Sequence, residues 1–249
     1  MYVFRRLAAI ALLQVLAGAA AHAAEPPYWG TLFIAPDTIN EKDPSVYAGH
    51  RAMGTGERLV WDSRVNRWNE MTMRLYAVEF RGEPSVEFQV NTEITAADAA
   101  AFVETYGRIV GQVPRVLRSR LKTVTIHGGK APFGGGNENM VVQVEQGVEY
   151  ARDGILEEAV LHELSHTSLD PVVPGAGWSA AQRTDGSFLS QYAQENPDRE
   201  DVAESFPIFL AVEYRKNRVP KDVYDAAVRH IPARMNFFRN QRYDMTPFD

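Results

Sequence analysis

His162-Glu163-Leu164-Ser165-His166 is the stretch on which the reading of this chain turns. It sits in a run that starts at Asp153 and continues past the second histidine as Thr167-Ser168-Leu169-Asp170. Asp153 is a capping residue type, straight-chain helix formers follow it, and Leu156, Val160 and Leu164 recur at i, i+4 and i+8. The pattern predicts an amphipathic helix that begins at Asp153. Two histidines four apart on a helix share one face, so His162 and His166 can reach one metal ion together. Glu163, a quarter-turn round, flanks that ion closely enough to handle a proton on water.

A catalytic zinc takes three protein ligands, and the chain offers several acids for the third place. The continuation that would supply another histidine is absent, because Leu169 and Val172 hold the positions where glycine and histidine are needed. A second helix is predicted to begin near Asp198 and to run through Glu200, Asp201 and Glu204 to Glu213, with Pro207 bending or dividing it. Glu200 is the favoured ligand. Glu204, one turn on, is the second choice, and otherwise suits a hydrogen bond to a ligating imidazole. Asp170 and Asp185 stay open as further alternatives.

Upstream of the motif, Gly128 to Asn137 is the most glycine-dense stretch of the chain. It lacks phosphate-loop order, so it is either a flexible turn or a backbone that must come close to another element. Asn139 to Val144 reads as the last strand before the histidine helix, and the resemblance of that helix to those of H-E-x-x-H peptidases implies a place at the sheet edge, where an extended peptide can add. Val124 to His127 is another strand, and the lone His127 either faces the cleft or is structural. The cluster Arg115, Arg118, Arg120 and Lys122 is either a solvated face or a site for an acidic substrate.

The amino-terminal part carries a different pattern. Tyr28 to Ile34 reads as a short strand running into a turn at Ala35-Pro36-Asp37, and residues 40 to 56 as loop. From Glu57 to Glu93 apolar and polar residues alternate in an antiparallel meander, with Trp61 and Trp68 as core or cross-strand aromatics. Thr95 caps a helix over 96 to 111, which stops before Pro114. Beyond Asp170 the chain is loop-like to Gly186. A last helix covers Lys221 to His230, and an aromatic, basic tail follows. These patterns divide the chain into residues 24–94, β-rich, and 95–249, which carry the histidine motif.

Arg5 and Arg6, the apolar run from Leu7 to Leu16 and Ala21-His22-Ala23 have the form of a cleavable export signal over residues 1–23. The run is too short for a confident membrane span. The 249 residues include no cysteine, so any metal must be held by His, Asp or Glu. The formal charge is -6, and about -8 once Arg5 and Arg6 are removed, which argues against nucleic acid or an anionic membrane as partner.

His162 to His166 followed by Glu200 to Phe206 resembles the gluzincin-type zinc metallopeptidases. More narrowly, Val90 to Glu93, Gly134 to Asn137, His162 to Asp170 and Tyr192 to Ser205 are similar to a group of secreted zinc peptidases with an H-E-x-S-H-T-S-L-D motif. The order Tyr192-Ala193, Asn196-Pro197, Glu200, Glu204 is also similar to the lethal-factor-like and proline-specific peptidases. In those a tyrosine lies seven residues before the glutamate ligand and assists the transition state; here the interval is eight. The resemblance implies an α+β, zincin-like fold with a mixed or antiparallel sheet packed on the two ligand helices. It implies one Zn2+ held by His162, His166 and Glu200, Glu163 as general base, Tyr192 assisting, Glu204 behind the ligands, and a peptide or protein as substrate. An exported protein that keeps zinc without catalysis, and a zinc hydrolase of cell-wall peptides, are the competing expectations.

Overall fold

A computed structural model describes residues 25–34 and 38–248; the expected export signal and the turn at Ala35-Pro36-Asp37 lie outside the described residues. The fold is α+β, a six-stranded mixed sheet with nine helices among the described residues. Strands β1 (Tyr47–Asp62) and β2 (Arg67–Phe80) form a long antiparallel hairpin, and β3 (Val86–Asn91) adds antiparallel to β2. Helices α1 (Ala96–Gln112) and α2 (Arg115–Arg118) then cross over, so that β4 (Thr123–His127) lies parallel to β3. Strand β6 (Asn139–Gln143) is parallel to β4, and β5 (Gly134–Gly136) closes the order β1-β2-β3-β4-β6-β5. One sheet therefore runs through both compositional halves, joined where Val90 pairs with Ile126.

Alternation sets the two faces of this sheet. Phe88, Val90, Val124, Ile126, Met140 and Val142 are fully buried and make the apolar face. Helix α1 covers it with Ala99, Val103, Tyr106 and Val110, a stripe at helical spacing, and Thr95 caps it by accepting from the Asp98 N–H at 3.2 Å. The second face carries Glu87, Gln89, Asn91, Thr125 and His127, and the hairpin bends back over it. Arg58 reaches Glu87 at 2.8 Å, Arg64 reaches Glu93 at 2.7 Å, and the His127 Nε2–H meets the Trp61 carbonyl at 3.1 Å. With Nδ1 also beside the Asn91 amide, His127 is a structural tie and stays out of the cleft.

The helices after the sheet are α3 (Val144–Arg152), α4 (Leu156–Ser168), α5 (Ala176–Asp185), α6 (Gln191–Glu195), α7 (Asp201–Tyr214), α8 (Lys221–His230) and α9 (Pro232–Gln241). Asp153 does not cap the histidine helix. It ends α3, Gly154 at φ 72° turns the chain, and α4 begins at Leu156 without a side-chain cap. Other expectations also shift. Residues 47 to 56 belong to β1 rather than a loop, the stretch after Asp170 holds α5, and the tail holds α9. Pro207 stays inside α7, a helix buried nearly all round, where tertiary packing outweighs one lost backbone hydrogen bond.

Two charged groupings are architectural. Arg118 is 3% exposed and binds Glu83 and the Val113 carbonyl, while Lys122 pairs with Glu138 at 2.5 Å. That accounts for much of the basic cluster. Arg234 of α9 is wholly buried between Asp185 at the end of α5, 3.3 Å away, and Asp201 at the start of α7, 2.8 Å away. Asp185 is thereby removed from the ligand alternatives.

Candidate metal centre

Helix α4 carries the first two donors, and its buried face explains their position. Val160, Leu161 and Leu164 are sealed into the core, which turns His162 and His166 toward the amino-terminal end of α7. Glu200, immediately before α7, meets them there. The His166 Nε2 lies 3.2 Å from His162 Nε2 and 3.2 Å from Glu200 Oε2, and His162 Nε2 lies 3.7 Å from that same oxygen. An ion with bonds of 2.0–2.1 Å and tetrahedral angles would set such donors about 3.4 Å apart. The buried cluster His162, His166 and Glu200 can thus hold a metal ion.

The groups behind the donors fit the same purpose. Asp170 is no ligand. Its Oδ2 accepts from His166 Nδ1 at 2.8 Å, one helical turn away, and so fixes which ring nitrogen faces the centre. Glu204 stands behind His162, its Oε1 3.8 Å from His162 Nδ1. Both atoms are buried and lack a hydrogen-bond partner, and a small ring movement would join them. The other Glu204 oxygen is held by the Ser190 hydroxyl at 2.8 Å. Sequence spacing picked out Glu204, whereas the orienting role of Asp170 was hidden among the ligand alternatives.

Electrostatics follow from crowding acids and imidazoles in one place. Burial works against a charged His166, but its hydrogen bonds to Asp170 and Glu200 outweigh this and push it up to about 10. Burial alone would raise Glu200; hydrogen bonds from the two imidazoles reverse that and hold its carboxyl well below the usual range. Glu163 is raised, chiefly by the protein packed around it. Glu163 lines the cleft together with the three donor residues.

That cleft has a volume of about 1050 Å3. Tyr192 stands in it, and burial, the Glu200 charge and a hydrogen bond to Glu200 push its phenol up to about 12. Arg199, beside Glu200 at 3.2 Å, adds a mostly solvent-facing cation. Trp61 and Trp68 pair directly across the hairpin, edge to face at 5.7 Å, and also line the cleft. One face of a cross-strand pair is thus left for a second use, which alternation alone cannot reveal.

Glycines 134–136 settle the two readings of the glycine-dense stretch. A Cβ on Gly135 would lie 1.9 Å from the Glu163 carbonyl oxygen, so β5 packs its backbone directly on α4. Thr167 stitches the contact, accepting from the Gly136 N–H at 3.0 Å. Strand β5 forms the sheet edge beside the site, and β6, expected there, lies one strand in.

The site and fold define a class: an α+β protein with a buried His-His-Glu centre able to take a metal ion, at the base of an open cleft. Compared with protein-family models, curated proteins and solved structures, the chain matches none.

Proposed function

We propose that the protein is a zinc-dependent endopeptidase of zincin-like fold that acts after export. The observation that carries this reading is the convergence of His162, His166 and Glu200 on one point, with Glu163 facing the same cleft. Two imidazoles and a carboxylate suit zinc, and a neutral-pH hydrolase needs a glutamate beside them. Zinc, when bound, supplies the positive charge that makes water a nucleophile near pH 7 and favours negative charge on a substrate carbonyl oxygen.

The chain's own groups do the rest. Glu163 accepts the proton of the attacking water and returns it to the leaving nitrogen, a transfer served by a carboxyl whose affinity for protons is raised by its surroundings. Tyr192 keeps its proton at neutral pH and can donate it as a hydrogen bond to the developing oxyanion. Asp170 and Glu204 hold the imidazoles in register. The outer edge of β5, apart from the Gly136 N–H held by Thr167, offers backbone groups to an extended peptide.

The test is a metal measurement on the purified protein together with cleavage of a tryptic digest of β-casein. One zinc per chain and cleavage lost in Glu163→Gln, with zinc retained, are expected. Full hydrolysis by Glu163→Gln would remove the general base, and a chain that binds no zinc would remove the reading.

A further inference from the structure

The segment Tyr28 to Ile34 has the composition of a strand, yet it forms no ladder. Only Tyr28 pairs, in a single parallel bridge to Ser190. The Gln191 N–H donates to the Tyr28 carbonyl at 2.9 Å and the Tyr192 N–H to the Trp29 carbonyl at 3.3 Å. At the other end the Ile34 N–H donates to Glu158 of α4 at 2.5 Å, and Ile34 is buried in the core. Between these moorings, no backbone N–H or C=O of Gly30, Thr31, Leu32 or Phe33 has a hydrogen-bond partner among the described residues. Trp29, Gly30, Thr31 and Phe33 line the cleft that holds Glu163 and the three donors.

We infer that residues 30–33 are a second rail for the substrate backbone, and that an extended peptide lies between this rail and the outer edge of β5. The inference rests on the peptidase reading and specifies its substrate as a chain recognised along both backbone edges. Strand composition without a strand partner has a simple cause when the partner is another molecule. Drawn out as a strand against a bound peptide, four residues would span about 13 Å, enough to pair with a comparable stretch of substrate. The rail is anchored to what it serves, because its Tyr28 and Trp29 carbonyls hold the backbone of Gln191 and Tyr192, and Glu158 is on the histidine helix. Gly134 to Gly136 have only backbone to offer, and residues 30–33 have backbone groups without partners among the described residues. Such recognition favours unfolded segments over any particular sequence.

In an extended chain, successive residues present their N–H groups to opposite edges, and this makes the number of walls countable. The most rapidly cleaved peptide of the β-casein digest is resynthesised with one N-methyl group at a time, leaving the scissile nitrogen untouched. Two rails predict a KM rise of at least tenfold at neighbouring positions of both parities. Thr31→Pro, which removes a rail N–H that pairs with a substrate carbonyl, should raise KM for the unmethylated peptide at least tenfold while zinc content is unchanged. Sensitivity confined to alternate positions means a single wall, and the rail is refuted while the peptidase stands. Should the wild-type zinc protein cleave nothing in the digest, both the peptidase and the rail fall.

Discussion

Replacing Gly135 by alanine tests whether the chemistry depends on the contact between β5 and α4. The added Cβ would sit 1.9 Å from the Glu163 carbonyl oxygen and 2.7 Å from its carbonyl carbon, against an ordinary contact of at least 3.4 Å. Both atoms are backbone of α4 and the glycine itself is backbone of the sheet, so no side chain can swing aside. The strand must retreat by about 1.5 Å, and overpacking of this kind costs about 1–3 kcal/mol. The same movement pulls at the Thr167 stitch and at Glu163 itself, and a displacement near 1 Å at a reacting group lowers rate on the order of 100-fold. Gly134→Ala is the control, because its Cβ would meet nothing closer than Val141 at 4.0 Å. Urea unfolding and kcat/KM on the β-casein peptide are the assays. Gly135→Ala should lose both stability and rate while Gly134→Ala keeps its stability. Equal stability of the two variants would refute the argument that the glycine is there for close approach.

The remaining expectations concern the groups around the centre. Asp170→Asn should weaken zinc affinity about 10- to 100-fold, read by competition with a chelating dye, because His166 loses its orienting carboxylate. Glu204→Gln should act in the same direction through His162; unchanged affinity in both variants would deny the outer carboxylates any part in metal binding. Glu158, pushed up by burial from 4.5 to about 7, takes up a proton more readily folded than unfolded. Its contribution is therefore complete below pH 4.5 and fades as pH rises through 7, by up to about 3 kcal/mol. The difference in unfolding free energy between wild type and Glu158→Gln should shrink over that window, and pH-independent parallel curves would show that Glu158 titrates normally.

Much of the centre could be read from residue types and intervals. A helix places its fourth neighbour on the same face wherever it occurs, so His162 and His166 required no tertiary knowledge. Glu200 needed more, since its acidic neighbours Asp201 and Glu204 fit a helix start equally well. The structure separates the three: Asp201 turns to Arg234, Glu204 to His162 and Ser190, and Glu200 to the imidazoles. Residues with long-range partners were the illegible ones. Asp170 differs from a ligand only by which ring nitrogen it meets, and Glu158 matters through a backbone more than a hundred positions away. Strand β1 was half missed because residues 47 to 56 include glycines at positive φ and many exposed polar side chains, which look like loop chemistry until β2 pairs with them. The antiparallel meander followed from alternation, whereas the parallel placement of β4 beside β3 depends on long-range pairing that alternation does not encode.

Arg234 has a bearing on where the molecule can be shortened. Its guanidinium neutralises Asp201, the residue next to Glu200, from a helix that ends only eight positions before the carboxyl terminus. Truncation ahead of it would strand two acids in the interior, and the strain would be felt first where α7 begins. Residues that never approach the cluster thus decide whether its third donor stays put, and a trimmed variant would forfeit the centre while retaining every residue that lines the cleft.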